Sequence, residues 1–175
     1  MDTSREDTLR RLADEAEIRD AVHRYCRGVD RADTGLTRSA YHPDATDDHG
    51  RYKGSAHDFA EYVNTAHATR WSSTMHVVAN HLARLDGDRA DAETYVIAYL
   101  RRSDGSCVDV VGGRYLDRFE RRAGEWRIAE RTYVCEWSAV METAGSLIDA
   151  GGYVQGSRDP RDPSYAGMLS RSGET

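Results

Sequence analysis

The amino-acid sequence predicts an α+β fold in which a curled antiparallel or mixed β-sheet wraps around N-terminal helices, giving a cone-shaped, cystatin-like α+β barrel. Two observations support this prediction: helical periodicity is confined to residues 7–68, and long extended segments separated by turns follow. Helices followed by consecutive strands are typical of helices packed on one face of a meander. A chain of 175 residues fits one such domain.

The helical segments are defined by apolar spacing and by capping signals. The N-terminal segment carries apolar residues near the 3.6-residue period of one helical face. A second, shorter helix must stop before Pro43, which disfavours helical backbone at the preceding residue. Ser55 and Asp58 have the spacing of a capping box and begin a third helix. The helices are expected over residues 7–29, 34–41 and 55–68, with a short extended stretch at 44–53.

The second half of the chain is predicted to form four long strands separated by turn signals. They are expected over residues 74–85, 90–101, 106–120 and 125–139. Strands this long exceed the usual ~5–6 residues, so the sheet must curl and enclose a hollow. Residues 1–140 are therefore assigned to the barrel domain, and residues 141–175 to an irregular C-terminal extension rich in Gly, Ser, Asp and Pro.

Composition and charge disfavour several classes of partner. A formal charge of −6 argues against nucleic acid, because binding phosphates needs a cationic surface. No apolar run approaches the ~18 residues of a membrane span, and the N-terminal segment lacks the apolar core of a secretory signal. The three scattered cysteines form no disulfide framework. We therefore expect a cytoplasmic protein without nucleic-acid or membrane partners.

The absence of established motifs also disfavours a cofactor or a metal. The sequence contains no Gly-rich phosphate loop, no G-x-S-x-G and no H-E-x-x-H. Its seven histidines show no recurring ligand spacing, and His76 and His81 are expected on opposite faces of one strand. No metal and no cofactor are predicted.

The best candidate for chemistry is the pair formed by Asp30 and His76. Asp30 ends the first predicted helix, where a carboxylate meets the negative end of the helix dipole and needs compensation. His76, expected to share a strand face with Val78, Asn80 and Leu82, could provide it. The alternative is that Asp30 is solvated beside neighbouring arginines and His76 is a hydrogen-bonded core histidine.

Period-two alternation suggests further pocket walls. Arg131, Tyr133 and Trp137 share one face of the last predicted strand, and Tyr95 and Tyr99 share one face of the second. Aromatic stripes of this kind also occur in an ordinary core, so both interpretations stay open.

Five ordered segments, residues 25–31, 41–45, 50–54, 73–80 and 122–128, resemble the SnoaL-like family of the nuclear transport factor two superfamily. The resemblance spans residues 9–137 and implies the cone-shaped barrel of scytalone dehydratase, bile-acid 7α-dehydratase and hexachlorocyclohexane dehydrochlorinase. It implies that Asp30 and His76 match an Asp/His dyad, that Tyr25 matches a tyrosine of the bile-acid enzyme, and that Arg131 matches a pocket arginine. Tyr99 departs from the pattern, because the bile-acid enzyme carries an acidic residue there.

The resemblance implies a cofactor-free lyase of the dehydratase type, acting on a small hydrophobic, cyclic molecule in a buried pocket. His76 would be the base held by Asp30, and Tyr25 and Arg131 would donate hydrogen bonds to the substrate. His49, Asn80, Tyr95, Tyr99, Tyr133 and Trp137 are the expected substrate-binding residues. An isomerase or polyketide cyclase resembling ketosteroid isomerase, and a non-catalytic binding or assembly module, remain alternatives. The relatives imply a homo-oligomer, with a trimer favoured over a dimer.

Overall fold

The computed structural model describes residues 5–143 and 150–166 and confirms the α+β class. Its elements are α1 (Arg5–Asp30), α2 (Thr34–Ser39), β1 (Tyr41–Asp48), β2 (Lys53–Ser55), α3 (Ala56–Arg70), β3 (Trp71–Asp86), β4 (Arg89–Arg102), β5 (Cys107–Arg122) and β6 (Glu125–Glu142), followed by short 3-10 helices at Ala150–Gly152 and Pro163–Tyr165. One mixed sheet has the strand order β2-β1-β6-β5-β4-β3, in which only β1 and β6 run parallel. The sheet is not closed, because β2 and β3 are its edges.

The segment around Pro43 differs from its prediction. Helix α2 ends at Ser39, and Tyr41 already belongs to β1, where it pairs with Ile128 of β6. The register shifts between Tyr41 and Thr46. Pro43 lies within that shift and has no N–H to contribute to the ladder, which is the usual reason for a proline at such an irregularity. The extended stretch expected at residues 44–53 therefore begins earlier and divides into β1 and β2.

Helix α1 provides the apolar face against which the sheet packs. Ile18, Val22 and Val29 are fully buried and belong to the main core, together with Phe119 and Trp126 of the sheet. Burying an aliphatic side chain of this size stabilises the fold by roughly 1.5–3 kcal/mol relative to exposure. The same helix face continues to its last residue and so directs the Asp30 side chain toward β3.

A β-bulge in β3 reverses the alternation of side chains along the strand. Val78 pairs with Val96 and His81 with Thr94, so between these two pairs β3 contains one residue more than β4. His81 consequently turns inward, where its Nδ1 lies 2.8 Å from the Thr94 hydroxyl. Asn80 becomes exposed. The predictions that Asn80 shares the face of His76, and that His76 and His81 point to opposite faces, are therefore wrong.

A second irregularity lies in β6. Gly113 pairs with Cys135 and Gly112 with Trp137, so Glu136 is an extra residue on β6. Because Val111 and Tyr115 face the interior, Gly112 and its partner Trp137 lie on the outer face of the sheet. The expected face shared by Arg131, Tyr133 and Trp137 ends at this bulge.

Candidate active site

The structure brings Asp30 and His76 into direct contact. Nδ1 of His76 lies 2.7 Å from Oδ1 of Asp30, and both side chains are largely buried. The same carboxylate accepts a hydrogen bond from the His76 backbone N–H at 2.9 Å and one from the Thr74 hydroxyl at 2.9 Å. Three donors thus compensate a carboxylate placed at the unfavourable end of α1. The alternative of a solvated Asp30 is excluded by these contacts.

The ionised form of Asp30 is favoured despite its burial. Desolvation alone would raise the pKa of this carboxyl group, but the hydrogen bonds from His76 and Thr74 and the nearby imidazole outweigh it and lower the pKa. An ionised Asp30 accepts the Nδ1 proton of His76, so in the neutral imidazole the lone pair lies on Nε2. Nε2 makes no hydrogen bond within residues 5–143 and 150–166, which leaves it available to take a proton.

His76 borders an inner cavity of about 130 Å³ enclosed between the helices and the sheet. Its wall combines three imidazoles, three phenol rings and aliphatic side chains: His49, His67, His76, Tyr25, Tyr115, Tyr133, Val63, Val96, Ala98, Leu100 and Val111. It adjoins an outer chamber of about 800 Å³, because five residues line both: His49, Val63, His67, Leu100 and Val111. On its other side, His76 borders a separate cleft that also contains Asp30.

His49 belongs to a second Asp/His contact at this cavity. Its Nδ1 contacts Oδ1 of Asp47, whose side chain is completely buried. The other Asp47 oxygen accepts a hydrogen bond of 2.6 Å from the Tyr41 hydroxyl. Nε2 of His49 faces the Tyr25 hydroxyl at 3.5 Å. Burial, and secondarily the charge of Asp47, raise the pKa of Tyr25 well above its usual value, so this phenol remains a proton donor.

His67 is a cavity residue that the sequence reasoning missed. It projects from α3 and its ring stacks at 6.1 Å from that of His76. Burial lowers the pKa of His67 to about 3, which keeps the imidazole neutral. Its Nδ1 is enclosed and has no hydrogen-bond partner in the part of the chain that the structure describes. The signal was present, because His67 follows Phe59 and Val63 at four-residue steps along one helix face.

Arg131 lies beneath the cavity and not on its wall. The guanidinium donates from Nε and Nη2 to both oxygens of Asp117 at 2.7 Å, and both side chains are 0% exposed. Its remaining nitrogen faces the Tyr41 hydroxyl at 3.5 Å. The cation also lies 4.4 Å from the ring centre of Tyr25 and 4.0 Å from that of Tyr115. Nε and Nη2 of Arg131 are engaged by Asp117, and two phenol rings pack against the guanidinium, so Arg131 does not line the cavity where it was expected to meet a substrate.

The remaining predicted substrate contacts divide between the two faces of the sheet. Tyr133 lines the inner cavity, as expected, and stacks on His49 at 5.0 Å. Tyr95, Tyr99 and Trp137 do not line it; the residues of β4 that do are Val96, Ala98 and Leu100, which alternate with both tyrosines. Tyr95 instead packs beneath the Arg114 guanidinium on the outer face. The assignments of Tyr95, Tyr99, Trp137 and Asn80 as cavity residues are therefore wrong.

Ser157 and Arg158 of the C-terminal segment form hydrogen bonds beside the Asp30/His76 dyad. The Arg158 guanidinium donates to the carbonyl oxygens of Val29, His67 and Trp71 at 3.0–3.2 Å. It thereby satisfies carbonyls at the end of α1 and near the end of α3, where the helix dipole favours a cation. Arg31 adds a hydrogen bond to the Ser157 carbonyl at 3.0 Å. Residues around 158 thus cover the ends of the helices that carry Asp30 and His67.

The comparisons with known proteins assign the chain to a family. A model of the SnoaL-like domain matches residues 10–132. The chain belongs to the SnoaL-like domain family. None of the curated protein sequences compared with it matches significantly.

Solved structures share the SnoaL-like fold at low identity. A type 2 hexachlorocyclohexane dehydrochlorinase is 20% identical with a TM-score of 0.71, over 81% of this chain and 99% of the other. A type 3 dehydrochlorinase from Novosphingobium barchaimii LL02 is 23% identical with a TM-score of 0.70, over 81% and 97%. A protein described as a scytalone dehydratase from Novosphingobium aromaticivorans is 15% identical with a TM-score of 0.69, over 81% and 99%. These likenesses confirm the fold.

Within the described residues, no three His, Cys, Asp or Glu side chains converge as metal ligands. No helix in that part of the chain is long and apolar enough to cross a bilayer.

Proposed function

We propose that the protein is a cofactor-free lyase that removes water or a comparable leaving group from a small hydrophobic, cyclic substrate. The observation that carries the proposal is the 2.7 Å contact between His76 and Asp30 at the wall of the inner cavity. The names of the similar structures, hexachlorocyclohexane dehydrochlorinase and scytalone dehydratase, describe eliminations and support this reaction class.

In this mechanism Nε2 of His76 takes a proton from the carbon next to an activating carbonyl group. Asp30 holds Nδ1–H and stabilises the imidazolium that forms, and such a base typically contributes roughly 10²–10⁴-fold to the rate. The Tyr25 hydroxyl, kept protonated by its raised pKa, donates a hydrogen bond to the developing enolate or to the departing oxygen. Hydrogen bonds of this kind are strongest in a cavity that excludes water.

The size and lining of the cavity support a ring compound as the substrate. An apolar cavity of roughly 150 Å³ accommodates benzene in another protein, and the inner cavity here measures about 130 Å³. Tyr115, Val96 and Leu100 supply apolar surface for one ring. Larger substituents would extend into the outer chamber, which shares five wall residues with the inner one.

The test is a screen of cyclic β-hydroxy ketones with mass spectrometry of the products. Elimination lowers the mass by one water, whereas an isomerase leaves the mass unchanged and a cyclase forms a new ring. His76→Gln and Asp30→Asn are each expected to lower kcat by about 10²–10⁴-fold. His81→Gln is the matched control, because His81 lies on the same strand, is hydrogen-bonded through Nδ1 and lines neither chamber. Near wild-type turnover in His76→Gln would refute the dyad.

We also propose a homo-oligomer, favouring a trimer, in the cytoplasm. Met75, Val77, Tyr95 and Trp137 are about half exposed on the outer face of the sheet, and such an apolar surface is typical of an interface. The three unpaired cysteines are consistent with a reducing compartment. Light scattering of the purified protein tests the trimer, and a monomeric mass would refute the oligomer.

A further inference from the structure

We propose that Asp47 and His49 form a second Asp/His dyad, which acts as the general acid of the elimination and protonates the departing oxygen while His76 takes up the substrate proton. This proposal rests on the proposed lyase function and assigns the step that His76 leaves open. A hydroxyl group departs poorly as hydroxide, so a proton donor on the leaving side lowers the barrier.

The fully buried carboxylate of Asp47 is placed to stabilise a positive charge on the adjacent imidazole of His49. Its side chain is 0% exposed, and its two oxygens contact His49 Nδ1 and the Tyr41 hydroxyl. The nearest buried guanidinium, that of Arg131, is engaged by Asp117 and reaches Tyr41 rather than Asp47. Among the groups that the structure describes around this carboxylate, His49 is therefore the one that can carry a compensating charge in direct contact. A buried carboxylate stabilises the cationic form of a group that donates to it.

The His49 ring is held in one orientation by aromatic stacking. Phe59 lies on one side with a centroid distance of 4.4 Å, and Tyr133 stacks at 5.0 Å with the rings nearly parallel. This packing and the Asp47 contact direct Nε2 toward the Tyr25 hydroxyl at 3.5 Å. A contact of that length is a weak hydrogen bond. Nε2 thus retains the capacity to donate to a substrate oxygen placed next to the Tyr25 hydroxyl, where two donors converge.

The two dyads reach the cavity from different parts of the sheet. His76 comes from β3, which is one edge strand, and His49 directly follows β1, which lies next to the other edge. The curl of the sheet brings both rings to the wall of the same inner cavity. A base and an acid that act from separate walls match an elimination, in which a proton and an oxygen leave neighbouring carbon atoms.

The proposed step conserves atoms and charge. Nε2 of His76 takes the proton from the carbon beside the carbonyl, and that electron pair forms the new carbon–carbon double bond. The carbon–oxygen bond breaks with its electron pair on oxygen, which receives the proton from Nε2 of His49 and leaves as water. His76 has gained one proton and His49 has lost one. Exchange with solvent returns both to their starting forms.

The experiment compares two leaving groups on one ring, 3-hydroxycyclohexanone and its acetate ester. Hydroxide needs protonation to depart, whereas acetate leaves as a stable carboxylate and does not. His49→Gln, which keeps an amide donor for Asp47, is expected to lower kcat on the hydroxy ketone by about 10²–10⁴-fold. On the acetate ester the loss of kcat in the same variant should be about tenfold or more smaller than on the hydroxy ketone, whereas His76→Gln should lower kcat equally on both. His42→Gln is the matched control, because His42 is a buried, hydrogen-bonded histidine of β1 outside both chambers.

The outcomes separate the two proposals. An equal loss on both substrates, or no loss on either, in His49→Gln overturns the acid dyad while leaving His76 as the base. Retained turnover in His76→Gln, or absence of elimination by the wild-type protein, overturns the lyase function and the acid dyad with it. A second readout does not depend on turnover: proton NMR of the wild-type protein should show a strongly downfield Nδ1 proton of His49 that disappears in Asp47→Asn. Its absence from the wild-type spectrum would also overturn the dyad.

Discussion

Replacing Arg131 by methionine is expected to destabilise the fold strongly and to affect catalysis only through the fold. The Arg131 and Asp117 side chains are both 0% exposed and joined by two hydrogen bonds of 2.7 Å. Removing one partner of a buried ion pair costs about 3–5 kcal/mol, because the other charge stays buried without compensation. Loss of the cation–π contacts with Tyr25 and Tyr115 adds on the order of 1 kcal/mol. For a domain of this size, the ion-pair loss alone corresponds to a fall in Tm of roughly 6–20 °C.

The double variant Arg131→Met/Asp117→Leu isolates the cause. Replacing both partners of a buried pair by apolar side chains is often neutral or even stabilising, so the double variant should regain most of the lost stability. Arg118→Met is the matched control on the same two strands, since Arg118 pairs with Glu130 at 2.7 Å and both side chains are about half exposed. An exposed pair contributes about 0–1 kcal/mol.

Urea unfolding followed by tryptophan fluorescence measures the free energy of unfolding for all four proteins. A structural role of the buried ion pair is refuted if Arg131→Met stays within about 1 kcal/mol of wild type, the range of an exposed pair, while kcat on a cyclic β-hydroxy ketone falls. That result would make Arg131 a direct donor to the substrate, as the sequence resemblance implied. Failure of the double variant to recover stability would instead assign the loss to the aromatic contacts.

Two further predictions concern the cavity wall. His67→Phe should reduce the loss of stability on acidification from pH 7 to pH 4, because the folded protein keeps His67 neutral down to a pKa of about 3, whereas the unfolded chain binds a proton below about pH 6.5. In this window the wild-type protein therefore loses at most roughly 3 kcal/mol of stability that the variant retains. Equal pH dependence of the urea midpoints in the two proteins would contradict this. Gly113→Ala should weaken binding of a cyclic ketone in calorimetry, because the new Cβ would lie 2.5 Å from both the Tyr133 side chain and the Val134 carbonyl oxygen and would displace Tyr133 from the cavity wall. Gly112→Ala is the matched variant: its Cβ would meet Trp137 on the outer face at 2.3 Å, so both variants should lose stability, but only Gly113→Ala should lose affinity for the ketone. Equal affinities of the two variants would show that Tyr133 does not shape the site.

The sequence predicted the helices and the number of long strands because these depend on local signals. Apolar periodicity placed α1 and α3 to within a few residues, and turn residues separated the four long strands. The two bulges could not be predicted from the sequence, because a bulge depends on how a strand pairs with its neighbour. The alternation around Asn80 and Trp137 shows no break in sequence, yet the extra residue in each strand turns both side chains away from the cavity.

The prediction of which face of β4 points into the cavity was wrong for a different reason. Large aromatic residues were expected inward, but the inward positions hold small or slender side chains such as Ala92, Val96 and Ala98. The interior of the curled sheet is filled by α1 and by the cavity, so bulky groups of β4 are accommodated on the outer face. Size alone therefore does not identify the buried face of a strand that packs closely against a helix.

The two Asp/His contacts differ in how visible they were in the sequence. Asp30 stood out because a carboxylate ends an apolar helix and requires a partner. Asp47 lies among polar residues of the extended stretch expected at 44–53, and only the fold shows that its side chain is fully buried. The spacing of Asp47 and His49, two residues apart along an extended segment, was nevertheless a usable signal, because such side chains point to the same face.

The hydrogen bonds around each carboxylate support the division into base and acid. Asp30 accepts hydrogen bonds from the Thr74 hydroxyl and the His76 backbone in addition to the imidazole, so part of its charge is neutralised by groups that never change protonation. Asp47 accepts from one hydroxyl besides His49 and is more completely buried. The carboxylate with less compensation in the drier environment has the greater need of an adjacent cation. This difference in hydrogen bonding is why the proposed step assigns the acid to the Asp47/His49 pair and the base to Nε2 of His76.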